Sequence, residues 1–153
     1  MVAAAMLRAV ESELQEADYA SVRQATQLLS GRYRSELSLN TRLGAWAELV
    51  ADVEEGLDTM WVWEFVHDLA HRDWLNEAWP LLTERVRRLR QPELDALDQR
   101  FRAATGPSKV WSMDENAVHE QGRWWQYRYP LLMTGDPSEE LPATWSPAPT
   151  FIG

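Results

Sequence analysis

Between residues 39 and 53 the apolar side chains fall at Leu39, Leu43, Trp46, Val50 and Val53, at spacings of four, three, four and three. That rhythm lines one face of an α-helix and suits no half-buried strand, whose faces alternate at every second residue. Ser38 stands where a hydroxyl can accept from the free N–H groups of a first turn, and Gly56 stands just past the last apolar position, where helices commonly end. A similar periodicity, less regular, runs to about residue 105 with few β-branched runs to oppose it. The chain is therefore expected to be all-α.

Met6, Val10, Leu14 and Ala17 form one apolar stripe, and Val22, Ala25, Leu28 and Leu29 a second. Asp18 is read as the N-cap of the second segment and Gly31 as its end. A short helix follows from Asp58 or Thr59, with Val62, Phe65, Val66 and Leu69 facing inward, and Asp73 caps a new one through Leu75 and Ala78. Pro80 kinks the path before Leu82, Val86 and Leu89, and Gln91-Pro92 opens a last helix with Leu94, Leu97, Phe101 and Ala104. The expected architecture is a single-domain bundle of about six helices over residues 1–106. Residues 107–153 form an aromatic, Pro-rich extended arm and tail packed on it, with Trp125, Tyr127 and Tyr129 alternating and Pro137, Pro142, Pro147 and Pro149 behind them.

With 153 residues the chain is long enough to bury one core without staples. It has no cysteine, which removes disulfides, thiolate metal sites and thiol nucleophiles together and suits a reducing compartment. Its start, MVAAAMLRAVESELQ, is interrupted early by Arg8, Glu11 and Glu13, and reads as neither a signal peptide nor a membrane span. The expected location is cytoplasmic. A net charge of −9 disfavours nucleic acid and favours a basic partner. The excess sits in residues 1–80, with 14 acidic against 6 basic side chains, while residues 81–153 carry 10 against 9.

The stretch HDLAH, residues 67–71, is the nearest approach to a catalytic signature. On a helix His67 and His71 lie about 40° apart, so both imidazoles could reach one zinc ion. The pattern resembles the H-E-x-x-H of zinc hydrolases, with Asp68 one methylene shorter than the usual glutamate base. A third ligand would have to come from Glu77 or His119. The expected reading is instead a wet helical face of Glu64, His67, Asp68 and His71, opposite the buried stripe and without a metal or other cofactor.

The run ERVRRLR places Arg85, Arg87, Arg88 and Arg90 around Val86 and Leu89. Together with GRWWQYRYP, in which Trp124 is the candidate exposed anchor, it offers a possible nucleic-acid surface or a set of arginines paired along a helix. Neither a phosphate-binding glycine loop nor a cofactor signature is present.

The segments YRSELSLNTRLGAWAELVADVEEGLD, WEFVHDLAHRDWLNEAW and LDALDQRFRAAT resemble a group of small, all-helical bacterial proteins, many of them actinobacterial. That group shares an E-x-G-Y stretch, a D-Y-x-N-D-L-x-x-R-D-type motif and an L-D-x-x-F-x-x-A-T ending. Leu57 replaces the tyrosine here, and His67-Asp68 replaces Asn-Asp. The resemblance spans Tyr33 to Thr105 and brings no activity with it. Small acidic helical proteins of this type are also similar to toxin-immunity proteins, which implies a basic protein partner. Glu48, Asp52, Glu54, Glu55 and Asp68 are the expected charge contacts, with Trp124 as the anchor. A zinc-dependent hydrolase at His67 and His71, and a nucleic-acid-binding regulator using Arg85 to Arg90 and Trp124, are the alternatives.

Overall fold

The computed structural model describes residues 14–109 and 122–153. Helix α1 (Glu16–Tyr33) is followed by α2 (Leu39–Glu55), strand β1 (Leu57–Asp58) and a 3-10 turn at Thr59–Trp61. Then come α3 (Val62–Asp68), α4 (Ala70–Ala78), a 3-10 turn at Trp79–Leu81 and α5 (Glu84–Ala104). Strand β2 (Thr105–Pro107), a 3-10 turn at Trp124–Tyr127 and strands β3 (Arg128–Pro130), β4 (Leu132–Thr134) and β5 (Thr150–Phe151) complete the described chain.

The architecture is thus mixed, which corrects the all-α bundle of about six helices. One parallel sheet has the order β1-β4-β5, and β2 pairs antiparallel with β3. Strands of two or three residues are too short to print a period-two pattern, and the alternation at Trp125, Tyr127 and Tyr129 falls mostly in the 3-10 turn, with only Tyr129 in β3. Helix boundaries also move. Gln91-Pro92 opens nothing, because α5 runs through Pro92, an exposed residue that forgoes one backbone hydrogen bond. Asp73 caps nothing either; the break lies at Leu69, and Asp73 points from within α4 towards the C-terminal arm.

Helix α2 forms as its sequence dictates. The Ser38 hydroxyl accepts from the Thr41 N–H, and Gly56, at φ 102°, ends the helix. Its buried residues Leu43, Trp46, Val50 and Val53 make it the central helix, against which α3, α4 and α5 pack. Trp46 meets Phe101 of α5 at 4.7 Å between ring centroids, and Phe65 of α3 meets Trp145 edge-on at 5.7 Å. Truncating one such ring costs about 3–5 kcal/mol in a well-packed core.

Helix α1 begins one turn earlier than expected and continues through Gly31 to Tyr33, where Arg34 takes the left-handed cap. Asp18 is its third residue rather than its cap, and accepts from the Gln15 N–H at 2.8 Å. The other Asp18 oxygen accepts from Thr83 Oγ1 at 2.6 Å, and these hydrogen bonds hold its carboxyl below the usual range. The stripe at Met6 and Val10 lies outside the described residues. No helix among the described residues is long and apolar enough to cross a membrane.

The C-terminal segment does more than lie on the helices. Leu57↔Met133 and Met133↔Phe151 align the parallel strands, so β4 is sandwiched between β1 and β5. Thr134 Oγ1 donates to the Gly56 carbonyl, and the Asp136 N–H donates to Thr59 Oγ1 at 3.1 Å. Gly135, at φ 92°, makes this approach possible, because a Cβ there would lie 2.6 Å from Asp58 Oδ1 and 3.0 Å from the Thr59 nitrogen. The arm therefore clamps the segment that leads into α3.

Candidate functional site: an aromatic ridge beside an acidic cleft

Helix α3 is short, and Val62, Phe65 and Leu69 consume its buried face. At about 100° per residue, Met60, Trp63 and His67 then lie on the opposite side. Met60 is 70% exposed, Trp63 69% and Trp61 52%, and Val66, expected in the core, is 40% exposed. The Asp58 carboxylate accepts from the Met60 N–H at 2.9 Å and fixes the turn that displays them. Large apolar side chains such as Met60 and Trp63 together on one solvent-facing side are uncommon on a free surface and make this face a candidate contact site.

Beside the ridge, a cleft of about 240 Å³ opens between α2 and α3. Its floor is Leu49, Leu57 and Phe65, one wall is Trp61, and its rim carries Asp52, Glu64 and Asp68. Among the described residues these three carboxylates make no hydrogen bond and no ion pair. Five arginines are engaged elsewhere: Arg23 with Glu16, Arg32 with Glu77, Arg72 with Asp98, Arg88 with Glu84 and Arg90 with Glu93. Asp52 and Asp68 also lie near the C-terminal ends of α2 and α3, where the helix dipole is itself negative, and no basic residue occupies the last turn of α2.

The expected contact residues divide. Glu48, Asp52 and Glu55 are exposed on α2, and Asp68 is half-buried at the cleft. Glu54 is already occupied by Arg100, with Nε 3.1 Å and Nη2 2.5 Å from its two oxygens, and this pairing holds the carboxyl below its ordinary range. Trp124 is half-buried rather than a free anchor. The Arg102 guanidinium lies 3.7 Å from its ring centroid, and Trp125 closes on it at 5.6 Å. Among the described residues the exposed tryptophans are instead Trp61 and Trp63, to which the sequence pattern assigned no role. Their signal lay in the assignment of Val62 and Phe65 to the core, which leaves Trp63 facing outward.

In HDLAH, His67 is exposed and His71 half-buried. Arg42 Nη1 lies 3.0 Å from His71 Nδ1, and since a guanidinium only donates, Nδ1 is the acceptor and the ring proton sits on Nε2. Burial first, and the Arg42 charge second, push His71 below its ordinary pKa. Glu77, a candidate third ligand, accepts from Tyr33 Oη and Arg32. Burial first, and the Glu77 carboxylate second, push the Tyr33 phenol well up. His119 lies outside the described residues. Among the described residues no three His, Asp or Glu side chains are placed to hold one metal ion.

No protein-family model matches the chain, and neither a curated protein nor a solved structure does so.

Proposed function

We propose that the chain is a small acidic binding module of the cytoplasm, without chemistry of its own, that holds a basic protein in the manner of an immunity-type inhibitor. The single observation that carries this reading is the solvent-facing pair Met60 and Trp63 set beside a cleft lined by Trp61 and the unpaired carboxylates of Asp52, Glu64 and Asp68. Exposed indoles supply contact area at low entropic cost, and the carboxylates steer a positive partner. The arginine-rich helix supports nucleic-acid binding less well, because Arg88 and Arg90 are neutralised by Glu84 and Glu93. A metal at His71 would have to take Nε2, with Nδ1 already committed to Arg42.

The test is affinity capture from cells that make the protein, comparing the wild type with a Met60→Ser/Trp63→Ser variant at low and high salt. The reading expects a basic protein retained by the wild type in near-stoichiometric amount, salt-sensitive, and lost with the variant. Identical retention by both proteins would sink it.

A further inference from the structure

We infer that the cleft between α2 and α3 seats an arginine side chain of the partner, presented by a basic amphipathic segment whose apolar side lies along the Met60–Trp63 ridge. The inference rests on the binding reading above and names the partner's chemistry.

The cleft's dimensions point to a side chain. At about 240 Å³ it falls below the range of about 300–1,000 Å³ typical of small-molecule pockets. Its parts follow the anatomy of arginine from stem to head. Leu49, Leu57 and Phe65 are at most 5% exposed and form an apolar floor for the methylenes of the stem. Trp61, half in solvent, offers an indole face on which a planar guanidinium can stack. Asp52 comes from one helix, and Glu64 and Asp68 from the other, so the rim can meet the donor fork from two sides.

Charge gives the second argument. The rim carboxylates have neither hydrogen-bond nor ion-pair partners among the described residues, and the adjacent helix ends add partial negative charge. The molecule stacks its own arginines on aromatic rings elsewhere: Arg72 lies 4.3 Å from the Trp125 ring and bonds Asp98 with both arms of its fork. The cleft offers the same pair of elements, indole and carboxylate, with the arginine missing. A cation entering it gains both interactions and relieves repulsion that the free protein carries.

The experiment uses the full chain labelled with nitrogen-15 and a synthetic amphipathic leucine/arginine peptide. A twin peptide carries citrulline, the uncharged isostere, at every arginine. The Trp61 and Trp63 indole N–H signals, assigned through Trp61→Phe and Trp63→Phe, report the cleft and the ridge separately. The arginine peptide is expected to move both signals. The citrulline twin should bind about tenfold more weakly or worse, and the Asp52→Asn/Glu64→Gln variant should lose a comparable factor for the arginine peptide alone. Both substitutions are isosteric and at the surface, and an otherwise unchanged spectrum verifies the fold. Equal binding of the two peptides, or undiminished binding by the cleft variant, overturns the inference. If Trp63 still responds in that case, the ridge remains a docking surface and only the arginine seat falls. If neither peptide moves the Trp63 signal, both fall together.

Discussion

Arg42 donates to His71 Nδ1 across 3.0 Å while standing 96% out of solvent between the rings of Tyr33 and Trp74, 5.5 and 5.4 Å from their centroids. A buried guanidinium thus rests on two π-faces and one imidazole lone pair, with no carboxylate bonded to it among the described residues.

The pairing makes stability depend on pH in a defined direction. Protonating His71 removes the lone pair and sets two cations together, and the imidazole pKa is lowered below its ordinary value of 6.5. Asp68 and Glu48 favour the protonated form and His67 opposes it, all more weakly than burial and Arg42. The unfolded chain therefore binds more protons than the folded one between the folded pKa and 6.5, so stability rises with pH through that window and is lost on acidification. Melting temperatures followed from pH 7.5 to 5.5 should fall less for His71→Gln, which keeps an acceptor but does not titrate, than for the wild type.

Asp98 holds a different cation. It accepts from Arg72 Nε and Nη2, both at 2.9 Å, and from Trp46 Nε1 at 3.2 Å. The Arg72 and Asp98 side chains are only 8% and 15% exposed, so Asp98→Ala strands a buried charge. The expected loss is about 3–5 kcal/mol by urea denaturation. A double Arg72→Met/Asp98→Leu variant should recover much of it, because the uncompensated charge is gone.

Neighbouring carboxylates of α2 are expected to respond in opposite senses. Asp52→Asn removes an unpaired negative charge near a helix C-terminus and should stabilise the free protein by a few tenths of a kcal/mol up to about 1 at low ionic strength, the gain fading with salt. Glu54→Gln breaks the paired contact with Arg100 and should lower the melting temperature. Thermal melts at two salt concentrations distinguish the pair.

Gly135→Ala tests the clamp under the ridge. The substitution forces a Cβ against Asp58 and the Thr59 backbone at a positive φ, with an expected cost of about 1–3 kcal/mol. It should also shift the Trp61 and Trp63 indole signals, whereas Gly31→Ala, with open space around its Cβ and no strained φ, should leave them in place.

Helix α2 was legible in the sequence from end to end because its stripe, its Ser38 cap and its Gly56 terminus all agree. Pro92 misled because a proline ring reads as a helix start, while α5 tolerates it at an exposed position with buried Leu89 and Leu94 on either side. Asp73 misled because a carboxylate on the expected apolar face reads as a cap. Its true partners, Trp125 Nε1 at 2.7 Å and Gln126 Nε2 at 3.1 Å, lie more than fifty residues away in the chain, beyond the reach of local pattern. The acidic half of the candidate site was visible in composition. The aromatic half needed the buried face of α3 to be fixed first, and the choice of Trp124 over Trp63 followed from reading the alternating residues around Arg123 to Tyr129 as an extended arm, where Trp124–Tyr127 make a 3-10 turn.

The parallel sheet sets an order of events during synthesis. Strand β1, which leads directly into the ridge, takes its partner Met133 from 76 positions later in the chain, and β4 is in turn flanked by Phe151. While a ribosome is still adding the intervening residues, the helices can collapse on α2 but the base of the ridge has no clamp. Among the described residues, the base of the proposed binding face therefore closes only after residues 132–134 and 150–151 have been made, well after the helices it rests on.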